Sequence, residues 1–166
     1  MTTTIEKKES IRAELEATRT AYHALVAMVN ETAWTQKSTG SRRNLAQVLA
    51  HITAYLTVIL PMTVSNARAG KNMPDLPGFI AHPLNYLFSI MHARDKTLQN
   101  IGSAYDKVHN GALQLLDSIK DDEWELRTNM PAGRLSIEEI FRHHTKHFAQ
   151  HATEVRKTVG KQIVVL

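Results

Sequence analysis

Nine of the 166 residues are histidines, and His143, His147 and His151 recur at intervals of four within the stretch Ser136 to Val159. An α-helix turns once every ~3.6 residues, so side chains four apart lie on one face, about a turn above each other. His147 and His151 can therefore point at one ion, and two imidazoles at that spacing make half of a transition-metal site. A further ligand has to come from elsewhere in the chain, and His51 is the best candidate. The chain has no cysteine, which excludes thiolate ligands, a cysteine nucleophile and a disulfide framework. Any metal must be bound by nitrogen or oxygen.

These histidines need helices to hold them. The last helix starts at Ser136, an N-cap with Glu139 three residues on to complete a capping box, and its apolar stripe runs Ile137, Ile140, Phe141, His144, Phe148, Ala152, Val155. His144 falls at the centre of that stripe and reads as a core histidine hydrogen-bonded to another group. Asn44 and Gln47 form a second capping box, opening a helix with the stripe Leu45, Val48, Leu49, Ile52, Leu56, Ile59. His51 lies on the shoulder of this stripe and can look into the interior near its edge. Pro61 kinks or ends that helix, although the composition through Arg68 lets it resume.

Two more helices complete the set. Ile11, Leu15, Tyr22, Leu25, Val26 and Val29 recur at three and four within Thr4 to Asn30, and Leu98, Ile101, Tyr105, Val108, Ala112, Leu115 and Ile119 do the same later. Glu31 to Arg43 reads as a loop anchored by Trp34. Residues Ala69 to Pro83 hold five breakers, Gly70, Pro74, Pro77, Gly78 and Pro83, and form the one long connection, with a helical turn or two after Leu84. Asp121 to Gly133 is a turn region. No segment reads as a strand, and only the tail Gln162 to Leu166 has β-like composition. The expected fold is all-α: a four-helix bundle in a single domain over residues 1–166, with one long crossover between the second and third helices. If the second and fourth helices run the same way, their depths from the helix starts allow His51, His147 and His151 to meet.

The bulk properties narrow the partners. The net charge is +4, with basic residues mixed among acids instead of gathered in a stripe, so no nucleic-acid partner is expected. The opening MTTTIEKKES lacks the apolar core of a signal peptide, and no run approaches the ~18 apolar residues of a membrane span. A soluble cytoplasmic protein with no membrane partner is the expectation.

The segment Asn44-Leu-Ala-Gln-Val-Leu-Ala-His51 and the segment from Ser136 through His147-Phe-Ala-Gln-His151 resemble the DinB/YfiT-like metalloenzyme family. That family opens its second helix with a polar cap two turns before a metal-binding histidine, and places two more at a four-residue spacing on its last helix. The resemblance extends over essentially the whole chain. It implies that His51, His147 and His151 hold a divalent transition metal, zinc or nickel first, and that the protein is a homodimer. Arg43 stands where the family often has an aromatic residue, and Ala152 and Thr153 replace small residues common after the last histidine. Both departures touch packing more than ligation.

By itself His51 reads as a satisfied, partly buried histidine, and a pair such as His147 and His151 arises by coincidence in a histidine-rich chain. His143, one turn before His147, is a supporting partner, a competing ligand or merely solvated, the last being preferred. His23, His82, His92 and His109 have no assignable partner, and Tyr22, Tyr55 and Tyr86 are pocket or core residues. The resemblance includes transferases for bacterial thiols such as bacillithiol and mycothiol, and a thiol-dependent maleylpyruvate isomerase. It implies an enzyme that activates a low-molecular-weight thiol for S-transfer to a small-molecule electrophile in detoxification or stress, with no residue assigned as general base. A metal-dependent hydrolase, with His143 or Glu154 as base, and a non-catalytic metal- or ligand-binding dimeric module are the alternatives.

Overall fold

The computed structural model describes residues 3–74 and 76–163. Its elements in chain order are α1 (Thr4–Ala27), α2 (Glu31–Trp34), α3 (Leu45–Ala54), a π-helical turn (Tyr55–Ile59), α4 (Leu60–Arg68), α5 (Gly78–Ala93), α6 (Ile101–Asp117), a hairpin of β1 (Arg127–Met130) and β2 (Gly133–Ser136), and α7 (Ile137–Ile163). Four long helical units, α1, α3 continued by α4, α6 and α7, enclose one apolar core. This is the expected four-helix bundle with its crossover between the second and third units.

The core follows the three-four spacing of the sequence. On α1 the buried residues are Ile11, Leu15, Thr18, Tyr22 and Leu25, and on α7 the whole expected stripe from Ile137 to Val155 is buried, His144 included. On α6 the buried line is Ile101, Tyr105, His109, Ala112 and Leu116, whereas Val108 and Leu115 are only partly covered. The true stripe is thus displaced to one side of the one read from hydropathy, because His109 counts as polar in sequence yet faces inward. Trp34 anchors the first loop as expected, at the end of the short α2, which Asn30 caps.

The second unit departs most from a one-sided helix. Every residue of α3 except Gln47 is buried, because α5 packs along it from the side the bundle leaves open. Among the described residues, Leu45–Arg68 is the one helix long and apolar enough to cross a membrane, but 67% of its apolar window lies buried within the protein. Its hydropathy is that of a central core helix. Pro61 neither ends nor sharply breaks it: the chain widens into a π turn in which the Leu60 N–H donates to the Tyr55 carbonyl, five residues back, just before the proline that lacks an N–H.

Two expectations are corrected. The crossover is not a loop to Pro83 with a turn or two beyond; α5 begins at Gly78 and runs sixteen residues with Pro83 inside it. Pro83 sits in the second turn, where losing one backbone hydrogen bond is tolerable when the rest of the helix is packed on α3. The region 127–136 is not a plain turn but an antiparallel hairpin, pairing Arg127 with Ser136 and Met130 with Gly133, whose φ of +116° suits glycine. Sequences RTNM and GRLS carry no apolar alternation, so the strands are invisible to pattern reading; Thr128 alone on β1 is buried. The hairpin is pinned to the start of the crossover, Thr128 Oγ1 donating to the Lys71 carbonyl at 2.8 Å and Met73 N–H to the Asn129 carbonyl at 3.0 Å. The tail from Gln162, read as β-like, is helical through Ile163 and lies outside the described residues beyond it.

Candidate metal centre

Ser136 ends β2 and caps α7: Glu139 N–H donates to Ser136 Oγ at 3.3 Å, and Ser136 N–H to Glu139 Oε2 at 2.7 Å. The capping box expected from sequence therefore sets the phase of α7, and with it the direction of His147 and His151. On α3 the Asn44–Gln47 box does the same for His51, with reciprocal bonds of 2.9 and 3.0 Å.

The three histidines come together. His51 Nε2 lies 3.1 Å from His147 Nε2, the three ring centroids are 4.7 to 5.0 Å apart, and one donor atom from each lies within 4.8 Å of the other two. A tetrahedral ion with Zn–N bonds near 2.0–2.1 Å keeps its ligand atoms about 3.3 Å apart. The observed spacing reaches that with small side-chain rotations. No fourth histidine or carboxylate joins the group among the described residues, so three neutral nitrogens would leave a position open.

Protonation favours lone pairs at the point of convergence. Burial, then the charge of Arg43 and the neighbouring His151, pushes His51 down to about 3, and burial followed by His151 and His51 pushes His147 down to about 2. Both rings are neutral at pH 7. Ser89 Oγ, fully buried, donates to the Asn85 carbonyl at 2.8 Å and accepts from Arg43 Nε at 2.7 Å. Its one proton is thus used, so the 3.3 Å contact with His51 requires Nδ1 of the ring to be the donor. The free electron pair of His51 is then on Nε2, facing His147.

His151 is set the same way by Glu154, whose Oε2 accepts from Nδ1 at 3.0 Å. Glu154 Oε1 accepts from Ser41 Oγ at 2.5 Å and from Ser38 Oγ. Burial alone would raise this carboxyl, but hydrogen bonds from His151, Ser38 and Ser41 outweigh it and hold Glu154 down to about 2. The loop carrying both serines lies against α7, where a Cβ on Gly40 would stand 3.1 Å from Glu154 Cγ. A side chain there would displace the carboxylate. Tyr55, first residue of the π turn, stacks on His147 with centroids 5.0 Å apart and covers one face of the ring.

Other singled-out residues fall elsewhere. His143 is half-buried, not solvated, with its ring 6.3 Å from that of His147 and its basicity lowered by burial and Lys146. His144 is a core histidine as read, its Nε2 3.2 Å from the Tyr105 hydroxyl. His109 is also fully buried, with Nε2 3.1 Å from Glu16, and exposed His23 pairs with Asp106 at 2.8 Å. Tyr22 is core, stacked on Tyr105 at 3.9 Å. Sequence reading did not find Ser38, Ser41, Ser89 or the contact of Arg43 with Ser89. Glu154 appeared only as a base, although its place three residues after His151 was a signal for a supporting carboxylate; the serines had none.

The sequence model of the DinB superfamily matches residues 14–155, a span that holds all three histidines. No curated protein matches the chain by sequence. Among solved structures, an uncharacterised protein of Clostridium difficile 630 is similar at 18% identity and a TM-score of 0.72, covering 95% of this chain and 96% of its own. The mycothiol-dependent maleylpyruvate isomerase is similar at 14% identity and a TM-score of 0.67, over 93% of this chain and 63% of that one. YfiT from Bacillus subtilis, described as a probable metal-dependent hydrolase with an unusual four-helix bundle topology, is similar at 12% identity and a TM-score of 0.66, over 92% and 87%. At such identities the likenesses establish the fold, and the family match joins them to the sequence: the chain belongs to the DinB superfamily.

Proposed function

We propose that this protein is a divalent-metal-dependent enzyme in which His51, His147 and His151 hold a zinc or nickel ion, and that it activates a low-molecular-weight thiol for S-transfer to a small electrophile in detoxification or stress. The observation that carries the reading is the convergence of three imidazoles from α3 and α7, with the outward nitrogens of His51 and His151 tied to Ser89 and Glu154. When bound, the ion would supply charge that lowers the pKa of a thiol in the open position toward neutrality. The protein's own part is to aim the three rings and to keep the lone pair of His51 on Nε2. Ser89 Oγ accepts a hydrogen bond from His51 Nδ1, Glu154 Oε2 accepts one from His151 Nδ1, and Tyr55 backs His147.

The same contacts favour a thiol over water as nucleophile. Hydrolysis needs a base, and both Glu154 oxygens are committed to Ser38, Ser41 and His151. His143 is left, neutral and half-buried one turn from His147, and this carries the hydrolase as second reading. The proposal includes a small-molecule substrate, a cytoplasmic location, one bundle domain over residues 1–166, and no nucleic-acid or membrane partner. Assembly as a homodimer is part of it too, supported by exposed Leu84, Leu87 and Met91 on α5.

Metal-loaded protein is assayed with a reactive aryl chloride, with and without a small thiol. S-transfer predicts turnover that requires both metal and thiol and disappears in His51→Ala. Turnover of an activated ester without thiol would establish the hydrolase, and metal-dependent melting without any turnover would establish a binding module.

A further inference from the structure

A cavity of about 560 Å³ opens between the turn before α3 and the N-terminal half of α5, lined among others by Arg42, Arg43, Phe79, His82, Pro83 and Tyr86. Its size is that of a small-molecule site. Two arginines line it, and no Asp or Glu is among its lining residues. Neither arginine has a salt-bridge partner among the described residues; Arg43 spends Nε on Ser89 and one terminal nitrogen on the Asn85 carbonyl at 3.4 Å, and Arg42 is exposed. The remainder of the wall is mixed: Phe79, Pro83 and Tyr86 give it apolar and aromatic surface, and His82 and Asn85 are polar. Arg43 also joins this cavity to the histidines through Ser89, the buried hydroxyl that contacts His51 Nδ1.

We infer that this cavity binds an organic anion, an apolar or aromatic molecule bearing a carboxylate, with the carboxylate on Arg42 and Arg43 and the body on Phe79, Pro83 and Tyr86. A planar guanidinium matches a carboxylate with two parallel hydrogen bonds, and the bond to Ser89 fixes the Arg43 guanidinium, whose Nη1 has no partner among the described residues. A neutral ligand of the same shape would forgo these charge-assisted hydrogen bonds. The inference deepens the proposed function by naming its substrate class, and it rests on that reading only for the link to a metal centre.

The test compares 2-naphthoate with neutral 2-naphthylmethanol by calorimetric titration, on metal-loaded and on chelator-dialysed protein, with metal content measured in parallel. Naphthoate should bind at least about tenfold more tightly in both forms. The preference should shrink with added salt and fall to about twofold or less in Arg42→Gln/Arg43→Gln protein whose circular dichroism is unchanged. Should that variant fail to fold, Arg42→Gln alone, at an exposed site, should lower the preference severalfold. Equal affinity for the two ligands, no binding at millimolar concentration, or a preference that survives the arginine replacements would overturn the inference. So would a preference confined to metal-loaded protein, since the carboxylate would then be sitting on the ion. Protein that never takes up metal yet prefers naphthoate would sink the proposed metal centre and leave the anion site standing.

Discussion

Two groups of histidines share this bundle, and α7 contributes to both. His144 and His109 lie fully buried in the core, each with one nitrogen bonded to a partner of its own, the Tyr105 hydroxyl or the Glu16 carboxylate. His51, His147 and His151 turn nitrogens toward each other instead, and their only bonds to other groups among the described residues, at His51 and His151, are on the far side of the ring. Burial by itself separates them poorly, since it depresses His144 and His51 alike, both to about 3. What differs is direction: each core histidine aims its one bonded nitrogen at a separate neighbour, with Nδ1 left without a hydrogen-bond partner among the described residues, whereas a ligand set turns several nitrogens to one point.

The sharpest break of this contrast comes from alanine at one member of each group. His147→Ala should lower metal affinity by at least about 100-fold, more than loss of a supporting partner costs, as read by elemental analysis and competitive chelation. His144→Ala should keep full metal content while lowering stability by about 2–4 kcal/mol, because it leaves a core void and an unpaired Tyr105 hydroxyl. Equal metal content in wild type and His147→Ala would remove the distinction. Glu154→Gln should come next, with a loss of about 10–100-fold in metal affinity and a lower stability, because the amide cannot accept from Ser38, Ser41 and His151 as the carboxylate does; an unaltered affinity would mean that the Glu154–His151 bond does not orient the ligand.

Acid sharpens the comparison on metal-free protein. His51, His144 and His147 have folded-state values far below 6.5, so the unfolded chain binds protons that the folded chain refuses. Their contribution is complete above the unfolded value and is lost as the pH falls from about 6.5 toward their folded values, by roughly 1.4 kcal/mol per pH unit for each ring. Glu154 acts in the same direction, but only below its unfolded value, near 4.5. Urea melts between pH 7.5 and 5 should therefore show a slope that His144→Leu reduces by about one proton. An unchanged slope would show that His144 is protonated in the fold. The smallest effect is expected of His143→Ala, whose metal affinity should stay within about threefold of wild type; a larger loss would bring His143 into the site.

Much of the architecture was legible because it depends on periodicity. The stripes on α1 and α7, the break-rich crossover and both capping boxes follow from residue spacing and local hydrogen bonding, and the boxes fix the phase of the histidines on their helices. The stripe on α6 was read off-centre since His109 faces inward only in the presence of Glu16 from α1. The hairpin and the early start of α5 were missed because RTNM and GRLS have no apolar alternation and because Pro83 discouraged a helix that packing on α3 sustains. In the site, His51, His147 and His151 were named from spacing and resemblance together, while Ser38, Ser41 and Ser89 carried no mark of their own.

By itself the sequence determined which residues could share a helix face, where those helices begin, and that any ligand set must be nitrogen or oxygen. Only the tertiary structure decided that α3 and α7 bring their faces together at one level, that Glu154 orients His151 instead of standing free as a base, and that Arg43 meets Ser89 behind His51. The reason is range: capping and amphipathicity act over three or four residues, whereas His51 and His147 are 96 positions apart, and only packing of the whole core sets the distance between them.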